Sequence, residues 1–429
     1  MIYSGVDGQA PYKTWKLEEC INYALSKNIQ IKKSNLTNDQ NQLNSDQAKS
    51  NRLPSVNASI NENFNWYKGY DSATGKNQTN GSNSTSYGLN SNVSVYNGEK
   101  LKARIKQAEL NLQSGKYYSE SVKESVGLNI LNAYLQVLYA YESVKNAEKQ
   151  IESTTEQLAL AKERMDLGVI SLSDYLQIKS ELSTEKSTLA TAQSQLAIDN
   201  VTLEQLMEFP VDPNFAVSSP KLDSLLAEFV QPNAQEIYNR ALGIKPEIKN
   251  VELTKESTAL NVKIAKADFM PSISASAGLS SNYSSLLGSG YTSQLSDKIS
   301  PSIGVSMSIP IFQKKQVKTN VSIANIAVSN AELDVINTKN QLRKEIEQAC
   351  QNLISAQSQY NASLEQKSSS QESYDVTAEK YRVGLLNSVD FLVQKTSLIT
   401  SESKLLQSKF NLIFSYKVLD FYKGVPLTL

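Results

Sequence analysis

Two long stretches of the chain carry apolar residues at helical spacing. The apolar side chains within residues 101–112 are separated by 4, 3 and 4 residues, and those within residues 317–328 repeat this spacing. No proline interrupts residues 99–167 or 315–383, and only the first of these ranges contains glycine, at two positions. A continuous stripe of this kind is typical of coiled coils and long helical bundles. We therefore predict two long antiparallel helical hairpins.

Four shorter stretches change to a period of two, with serine or asparagine between the apolar residues. Such alternation predicts strands that have one apolar and one polar face. The chain is thus expected to be mainly α with β. The polar residues between the paired strands, 68–86 and 284–298, resemble external loops. The four strands are predicted near residues 53–67, 86–97, 271–283 and 299–312.

Alternation alone fits either a half-buried soluble sheet or a membrane barrel with a wet lumen. The barrel is favoured because the polar faces are nearly uncharged, whereas a solvated sheet usually carries lysine and glutamate. Four strands cannot close a barrel, since about 8 strands is the smallest common number. Oligomerisation is therefore implied, and three protomers would supply twelve strands.

The two halves of the chain repeat one pattern. Residues 163–168 recur as residues 379–384, an offset of 216, and a Pro-Ser dipeptide opens the first strand of each half. We predict an internal two-fold repeat in which each half runs helix, strand, strand, long helix and return helix. The predicted domains are residues 1–10 as a residual signal or disordered N-terminus, 11–219 as the first repeat and 220–429 as the second.

The composition excludes most catalytic chemistry. Histidine is absent, which removes His-based acid–base catalysis, Ser-His and Cys-His nucleophile pairs and the commonest zinc ligand sets. Basic and acidic residues both total 43 without a block of like charge, so no nucleic-acid groove is indicated. Cys20 and Cys350 lack a CxxC spacing and are expected to be packed as small apolar residues. Residues 71–76 lack the closing glutamate of a cation-binding loop, so no metal or other cofactor is expected.

The order of the elements and three short motifs resemble the TolC family of outer-membrane channel proteins. Leu-Pro-Ser at residues 53–55 enters the first strand, Ile-Pro-Ile-Phe at 309–312 leaves the last one, and glycine turns lie at 168–171 and 384–387. The resemblance runs from Trp15 to about Gly424. It implies a homotrimer with a twelve-stranded transmembrane β-barrel in the outer membrane and an α-barrel in the periplasm.

The resemblance also implies a function without catalysis. The chain would be a passive, gated exit duct of a tripartite efflux pump or a type I secretion system. Its partners would be a periplasmic adaptor protein, an inner-membrane transporter and outer-membrane lipid. A soluble coiled-coil scaffold or adaptor is the alternative, and it explains the hairpins but not four neutral-faced strands at equivalent points of a repeat.

The turns that join the long helices to the return helices hold the candidate site. Gly168 and Gly384 are expected to end the long helices and let the chain reverse. The return helices are expected to be capped at Ser173 or Asp174 and at Ser388 or Asp390. Exposed apolar residues at a turn would need a partner to cover them. The resemblance assigns the adaptor contact to Gly168, Val169, Ile170, Gly384, Leu385 and Leu386.

The resemblance places a gate at the same end of the molecule. Asp390 matches an aspartate that lines the constricted periplasmic entrance, where three carboxylates would attract cations and repel anions. Tyr381 and Asp174 match a tyrosine and an aspartate of the closed-state lock. The arginine of that lock falls on Leu386, and a second gate aspartate falls on Val393. The closed mouth is therefore expected to be held by a different set of contacts in this chain.

Overall fold

A computed structural model describes residues 14–220 and 231–429 of the chain. The predicted N-terminal segment, residues 1–10, lies outside the described residues. The chain divides into two compact units, each drawn from both halves of the sequence. The first unit takes in the described residues of Met1–Leu36, Tyr117–Lys249 and Ile336–Leu429, and the second takes in Thr37–Lys116 and Asn250–Val335.

The helices follow the predicted order twice. Each half opens with two shorter helices and then has one helix of 67 residues and a return helix. The two long helices begin 216 residues apart, which confirms the predicted hairpins and the internal repeat. The domain limit between residues 219 and 220 stays a prediction. The helices are α1 (Leu17–Lys27), α2 (Ile29–Ser50), α3 (Lys100–Asp166), α4 (Leu172–Met207), α5 (Ala234–Ile244), α6 (Pro246–Ala267), α7 (Tyr291–Asp297), α8 (Gln316–Arg382) and α9 (Ser388–Tyr422).

The strands form two sheets among the described residues. A short parallel pair joins β1 to β4. The larger sheet is antiparallel, with the order β2-β3-β5-β6, so its four strands are those that the period of two predicted. The strands are β1 (Thr14–Trp15), β2 (Ser55–Asp71), β3 (Lys76–Asn97), β4 (Ala216–Val217), β5 (Ser272–Ser284) and β6 (Ser300–Ser308).

The prediction of external loops at residues 68–86 and 284–298 is wrong in part. In the segment 68–86, β2 continues to Asp71 and β3 begins at Lys76, because the ladder between them continues in register up to a four-residue turn. Gly75, at φ +66°, lets the chain reverse there. The segment 284–298 contains α7, which packs on β5 through Gln294, whose side chain donates to the Ser284 carbonyl and accepts from its N–H.

The first unit holds two equivalent apolar cores. In the first half, Ile130 and Leu138 of α3 pack with Cys20 of α1, and in the second half Ile346 of α8 packs with Cys350 and with α5. Ile130 and Ile346 are 216 residues apart and both fully buried. Burial of each such isoleucine contributes about 1.5–3 kcal/mol. The apolar stripes predicted from the sequence therefore face the cores. Both cysteines are buried, as expected.

The large sheet, in the second unit, is largely exposed among the described residues. Ile303 on β6 is 90% exposed, and the apolar face of β2 is exposed as well. The serine and asparagine face is largely open too. Among the described residues, β2 and β6 each pair with a single neighbour, so both edges of the sheet are open. Residues 14–220 and 231–429 therefore provide no apolar core for this sheet.

Among residues 14–220 and 231–429, no helix is both apolar enough and long enough to cross a bilayer.

Candidate functional site at the helical tips

Both long helices end in the same hydrogen-bonded turn. Gly168, at φ +73°, donates its N–H to the Met165 carbonyl at 2.9 Å, and Val169 donates to the Arg164 carbonyl at 2.8 Å. This pair of bonds is the Schellman motif, which favours glycine because the backbone is left-handed there. The second tip repeats both bonds, with Gly384 at φ +79°. The predicted role of the two glycines as helix ends is confirmed.

The return helices begin earlier than expected. Ser171 and Asn387 are the N-caps, and each accepts a hydrogen bond from the backbone N–H of an aspartate three residues later, Asp174 or Asp390. The expectation of a cap at Ser173 or at the aspartates themselves is therefore wrong. Each Schellman turn reverses the chain within three residues of its glycine. Ser171 and Asn387, the last residues of the two turns, are therefore already placed to cap the return helices.

A serine of the second tip bonds to the first tip. Ser388, which was an expected cap, is fully buried, and its Oγ donates to Asp174 Oδ1 at 2.5 Å. Gln177 Oε1 lies 2.5 Å from the same hydroxyl. Hydrogen bonds from Ser171 and then from Ser388 lower the pKa of Asp174 below its ordinary value of 3.8. Their stabilisation is thus complete above pH 3.8 and is lost as the pH falls through the lower, folded-state pKa.

The predicted lock tyrosine is held by its ring and its backbone. Tyr381 is buried and stacks on Phe391 with a centroid distance of 4.7 Å. Its Oη has no hydrogen-bond partner among the described residues, so it forms no bond to Asp174. Burial raises the pKa of Tyr381. Arg164 Nη1 donates to the Tyr381 carbonyl at 2.9 Å, and its guanidinium carbon lies 5.5 Å from the ring centroid.

Arg164, rather than an arginine at position 386, is the basic residue that contacts Tyr381. It comes from α3, so it connects the first hairpin to the end of α8. Sequence reasoning missed Arg164, although it lies inside the repeated motif at residues 163–168. Its position in the last turn of α3 could have indicated this contact. A cation there interacts favourably with the helix dipole and with nearby carbonyl groups.

The four apolar tip residues divide into two pairs. Val169 and Leu385 are exposed, and Leu385 retains 78% of its surface. Ile170 and Leu386 instead pack against the cluster that contains Tyr381, so the expectation that they are exposed is wrong. Side chains of both tips, including Asp174 and Arg164, line a cleft of about 360 Å³. Asp390 lies outside this cleft and is exposed.

A buried ion pair further along the hairpins was also missed. Lys395 Nζ on α9 lies 2.8 Å from Glu185 Oε1 on α4, and it contacts the hydroxyl of Thr154 on α3. The side chains of Lys395 and Glu185 are only 5% and 6% exposed. The signal was in the sequence, because Lys395 continues the apolar spacing of Phe391 and Leu398. A charge at a core-facing position requires a buried partner.

The geometry of the tips offers contacts between the two hairpins. Among the described residues, no group of three or more histidine, cysteine, aspartate or glutamate side chains is placed to bind a metal. The polar groups of the tips bond to one another across the cleft. The arrangement can hold two helix ends together, and the exposed apolar residues can contact another protein.

The sequence profile of one family, the outer membrane efflux proteins, matches this chain twice, over residues 20–207 and 237–420. The chain belongs to this family. Each match falls within one of the two predicted repeats and runs to the end of a return helix or close to it. The resemblance to TolC-family channels is therefore confirmed.

Individual relatives agree with the family assignment. The outer membrane protein TolC of Escherichia coli strain K12 is 23% identical over 398 residues, which cover 90% of this chain and 78% of that protein. The solved structure of CusC has a TM-score of 0.83 at 19% identity and covers 99% of this chain and 96% of its own. The Campylobacter jejuni CmeC outer membrane channel has a TM-score of 0.79 at 18% identity, over 99% and 92% of the two chains. The fold is the predicted one.

Membership in the family decides between the two predicted functions. The chain is an exit duct of an efflux system and is located in the outer membrane. The family consists of channel and efflux proteins. A soluble coiled-coil scaffold is therefore the wrong alternative, and the neutral-faced strands that counted against it belong to the family fold.

The buried ion pair predicts a strongly asymmetric response to mutation. Lys395→Met leaves the Glu185 carboxylate buried and unpaired, which should lower the free energy of unfolding by about 3–5 kcal/mol. The double variant Lys395→Met/Glu185→Leu should recover most of this loss, because an apolar pair carries no desolvation penalty. Thermal unfolding of the detergent-solubilised protein measures both effects. Lys179→Met, at the exposed repeat equivalent, is the control, and a double variant as unstable as the single one would contradict the prediction.

The two tip glycines should differ in how strongly an alanine substitution destabilises the protein. Gly168→Ala should cost about 1–2 kcal/mol, because the backbone is left-handed, while no described atom outside residues 167–169 lies within 4 Å of the added Cβ. Gly384→Ala should cost more, since its Cβ would lie 3.2 Å from Arg164 Nη2 and displace the guanidinium. Melting temperatures give the difference. In an Arg164→Ala background the two costs should become equal, and a difference that persists there would exclude Arg164 as its cause.

Proposed function

We propose that three copies of the chain form the duct and that their sheets close one barrel of twelve strands in the outer membrane. The observation that supports this most directly is the open sheet. In lipid an unpaired sheet edge leaves backbone groups without partners, so a spanning sheet must close on itself. Four strands per chain are too few, and three copies pair β2 of one protomer with β6 of the next.

The two faces of the sheet support the same proposal. Ile303 and the other apolar residues of β5 and β6 share one face, and their exposure fits contact with lipid. The opposite face carries serine, asparagine and glycine, which suit a water-filled lumen. A soluble sheet would instead have to cover the apolar face with another layer.

The helical tips form the periplasmic mouth in this proposal. The bonds from Ser388 to Asp174 and from Arg164 to the Tyr381 carbonyl connect the two hairpins of one protomer, so they hold the mouth in its closed state. Asp390 is exposed beside them, where three symmetry-related carboxylates would give the entrance a preference for cations. Tyr381 contributes through its stacked ring and backbone rather than through its hydroxyl.

The same tips supply the contact with a periplasmic adaptor. Val169 and Leu385 are exposed at glycine turns whose backbone is fixed by the Schellman bonds, so they present apolar side chains in one conformation. An inner-membrane transporter would deliver the substrate, and the duct itself would carry out no catalytic step. The finer identity of the system, a tripartite efflux pump or type I secretion, then depends on the transporter.

The direct test of the proposal is the mass and the conductance of the detergent-extracted protein. A trimer that forms a cation-preferring pore of low conductance in a planar bilayer is expected. A monomer that is silent in the bilayer would overturn the proposed assembly.

The gate proposal predicts a double-mutant pattern in conductance. Asp174→Ala and Ser388→Ala should each raise the open fraction about tenfold or more, because a charge-assisted hydrogen bond contributes about 1.5–3 kcal/mol. The double variant should open no further than the larger single one, since both changes remove the same bond between the hairpins, while the bonds from Ser171 to Asp174 lie within the first tip. Asp166→Ala removes an exposed carboxylate of the same tip and should leave the conductance unchanged. Additive effects of the two variants would contradict a shared bond.

The adaptor contact predicts a loss of binding without a loss of assembly. Leu385→Glu and Val169→Glu should each weaken binding of the purified adaptor by about tenfold or more, because a charge replaces an apolar contact. Val211→Glu, at an exposed residue outside both tips, is the matched control. Surface plasmon resonance on immobilised trimers measures the affinity. Unchanged affinity in both tip variants would exclude these residues from the interface.

A further inference from the structure

The hairpin of β2 and β3 extends well past the rest of the sheet. The last pair between β3 and β5 is Ser84 with Ser284, and β6 ends its pairing earlier, at Ser300. Beyond Ser84 the ladder contains only β2 and β3, over eight residue pairs up to the turn, and Ser285 makes a last contact with the backbone of Asn83. We call this two-stranded segment, residues 64–83, the arm. At about 3.3 Å per residue its paired part measures roughly 26 Å.

One face of the arm carries aromatic rings and a lysine. Phe64, Trp66, Lys68 and Tyr70 alternate along β2 and therefore share one face. Trp66 is 73% exposed and Tyr70 is 70% exposed. The rings of Phe64 and Trp66 stack at 6.3 Å, and Trp66 lies against Gly81 on the opposite strand, which has no side chain to displace it. The rings thus form a flat apolar surface with one positive charge.

The opposite strand adds polar groups to the same face. Asn83, Thr79 and Asn77 pair with Phe64, Lys68 and Tyr70 and share their face. Amide and hydroxyl groups both donate and accept hydrogen bonds. The acidic residue of the arm, Asp71, lies on the other face and accepts from the Ala73 N–H in the turn. The described arm face therefore combines rings, neutral hydrogen-bonding groups and a lysine. The Glu62 carboxylate lies on the same face at the start of the arm, where it accepts a hydrogen bond from the Asn83 amide at 3.2 Å.

The arm face continues the apolar face of the sheet. Val56, Ala58 and Ile60 precede Phe64 on the same face of β2, where Glu62 is the one charged interruption, and Tyr87 and Tyr283 lie near the end of the four-stranded region. The Tyr87 and Tyr291 hydroxyls are 2.6 Å apart, and the Tyr283 and Tyr291 rings are 4.7 Å apart. Tyrosines of this kind mark the membrane–water interface of a barrel. The arm extends beyond them.

We propose that the arm face binds the phosphorylated glycolipid of the outer leaflet, lipopolysaccharide. The proposal rests on the proposed function, in which the apolar face of the sheet contacts lipid. A face that continues past the acyl chains meets the sugar and phosphate layer next. Aromatic rings suit this polar–apolar boundary, amides and hydroxyls match sugar hydroxyls, and Lys68 provides a cation for a phosphate group. An isolated two-stranded hairpin is also barely stable in water, so a covering layer would stabilise the arm.

The two tryptophans of the chain make the arm directly observable. Trp15 is buried, whereas Trp66 lies at the centre of the arm face. The difference in fluorescence between the unmodified protein and Trp66→Phe isolates the signal of Trp66. The protein is reconstituted into vesicles of phospholipid alone and into vesicles of phospholipid with lipopolysaccharide. Emission and quenching by acrylamide are measured in both, and also in detergent.

The proposal predicts that Trp66 emission shifts to the blue, and that acrylamide quenching falls several-fold, only when lipopolysaccharide is present. Lys68→Gln should raise the lipopolysaccharide concentration at half-maximal shift about fivefold, and Lys68→Arg should restore it. Lys76→Gln, on the other face of the arm, is the matched control and should have no effect. The Lys68 variants keep the test independent of the aromatic substitution.

Three results would overturn the proposal. Equal protection of Trp66 in phospholipid alone would make the arm an ordinary interfacial segment. Exposure in both kinds of vesicle would place it in water, and protection already in detergent would place it against a neighbouring protomer. Trimer mass and conductance are measured on the same samples. Their loss would refute the proposed duct, whereas an unshifted Trp66 in a conducting trimer would refute only the glycolipid contact.

Discussion

The backbone of the four-stranded sheet imposes the constraint on which the rest of the molecule depends. Each edge strand has unpaired N–H and C=O groups along one side, and lipid offers them no partner. The apolar face of the same sheet is open to the exterior, with Ile303 almost fully exposed. A single chain therefore cannot complete this part of its own structure. The proposed trimer satisfies both needs at once, since one set of contacts between copies closes the edges and leaves the apolar face to lipid.

The internal repeat fixes the backbone, while differences between the halves provide the contacts that connect the two hairpins. Both tips have the same Schellman turn and the same aspartate at the third residue of the return helix. Only one of the two aspartates, Asp174, bonds across the cleft, because Ser388 is buried against it. Likewise Lys395 is buried and paired, whereas its equivalent, Lys179, is exposed. A link between hairpins requires such asymmetry, because two identical surfaces would each present the same group.

The sequence was sufficient to predict helices and strands whose apolar pattern extends over many residues. It was insufficient where the position of one side chain determines a contact. The helical stripe around Ile130 and Ile346 and the alternation in β6 extend over many residues, so tertiary contacts do not override them. Residues 68–83 of the arm were predicted as part of an external loop because this stretch is polar, although the ladder between β2 and β3 makes most of it strand. The burial of Leu386 and the position of Arg164 depend on the neighbouring hairpin, which local pattern does not encode.

The energies at the tips suit the proposed gate, in which docking of a partner would open the mouth. A charge-assisted hydrogen bond such as that from Ser388 to Asp174 contributes about 1.5–3 kcal/mol, and the bond from Arg164 to the Tyr381 carbonyl is of the same kind. Burial of one exposed side chain such as Val169 or Leu385 releases a similar amount, about 1.5–3 kcal/mol. An adaptor that covers both residues of each protomer can therefore offset the two bonds that hold its hairpins together. In the proposed duct, opening then needs no external energy source at the outer membrane, because docking itself supplies a free-energy change of the required size.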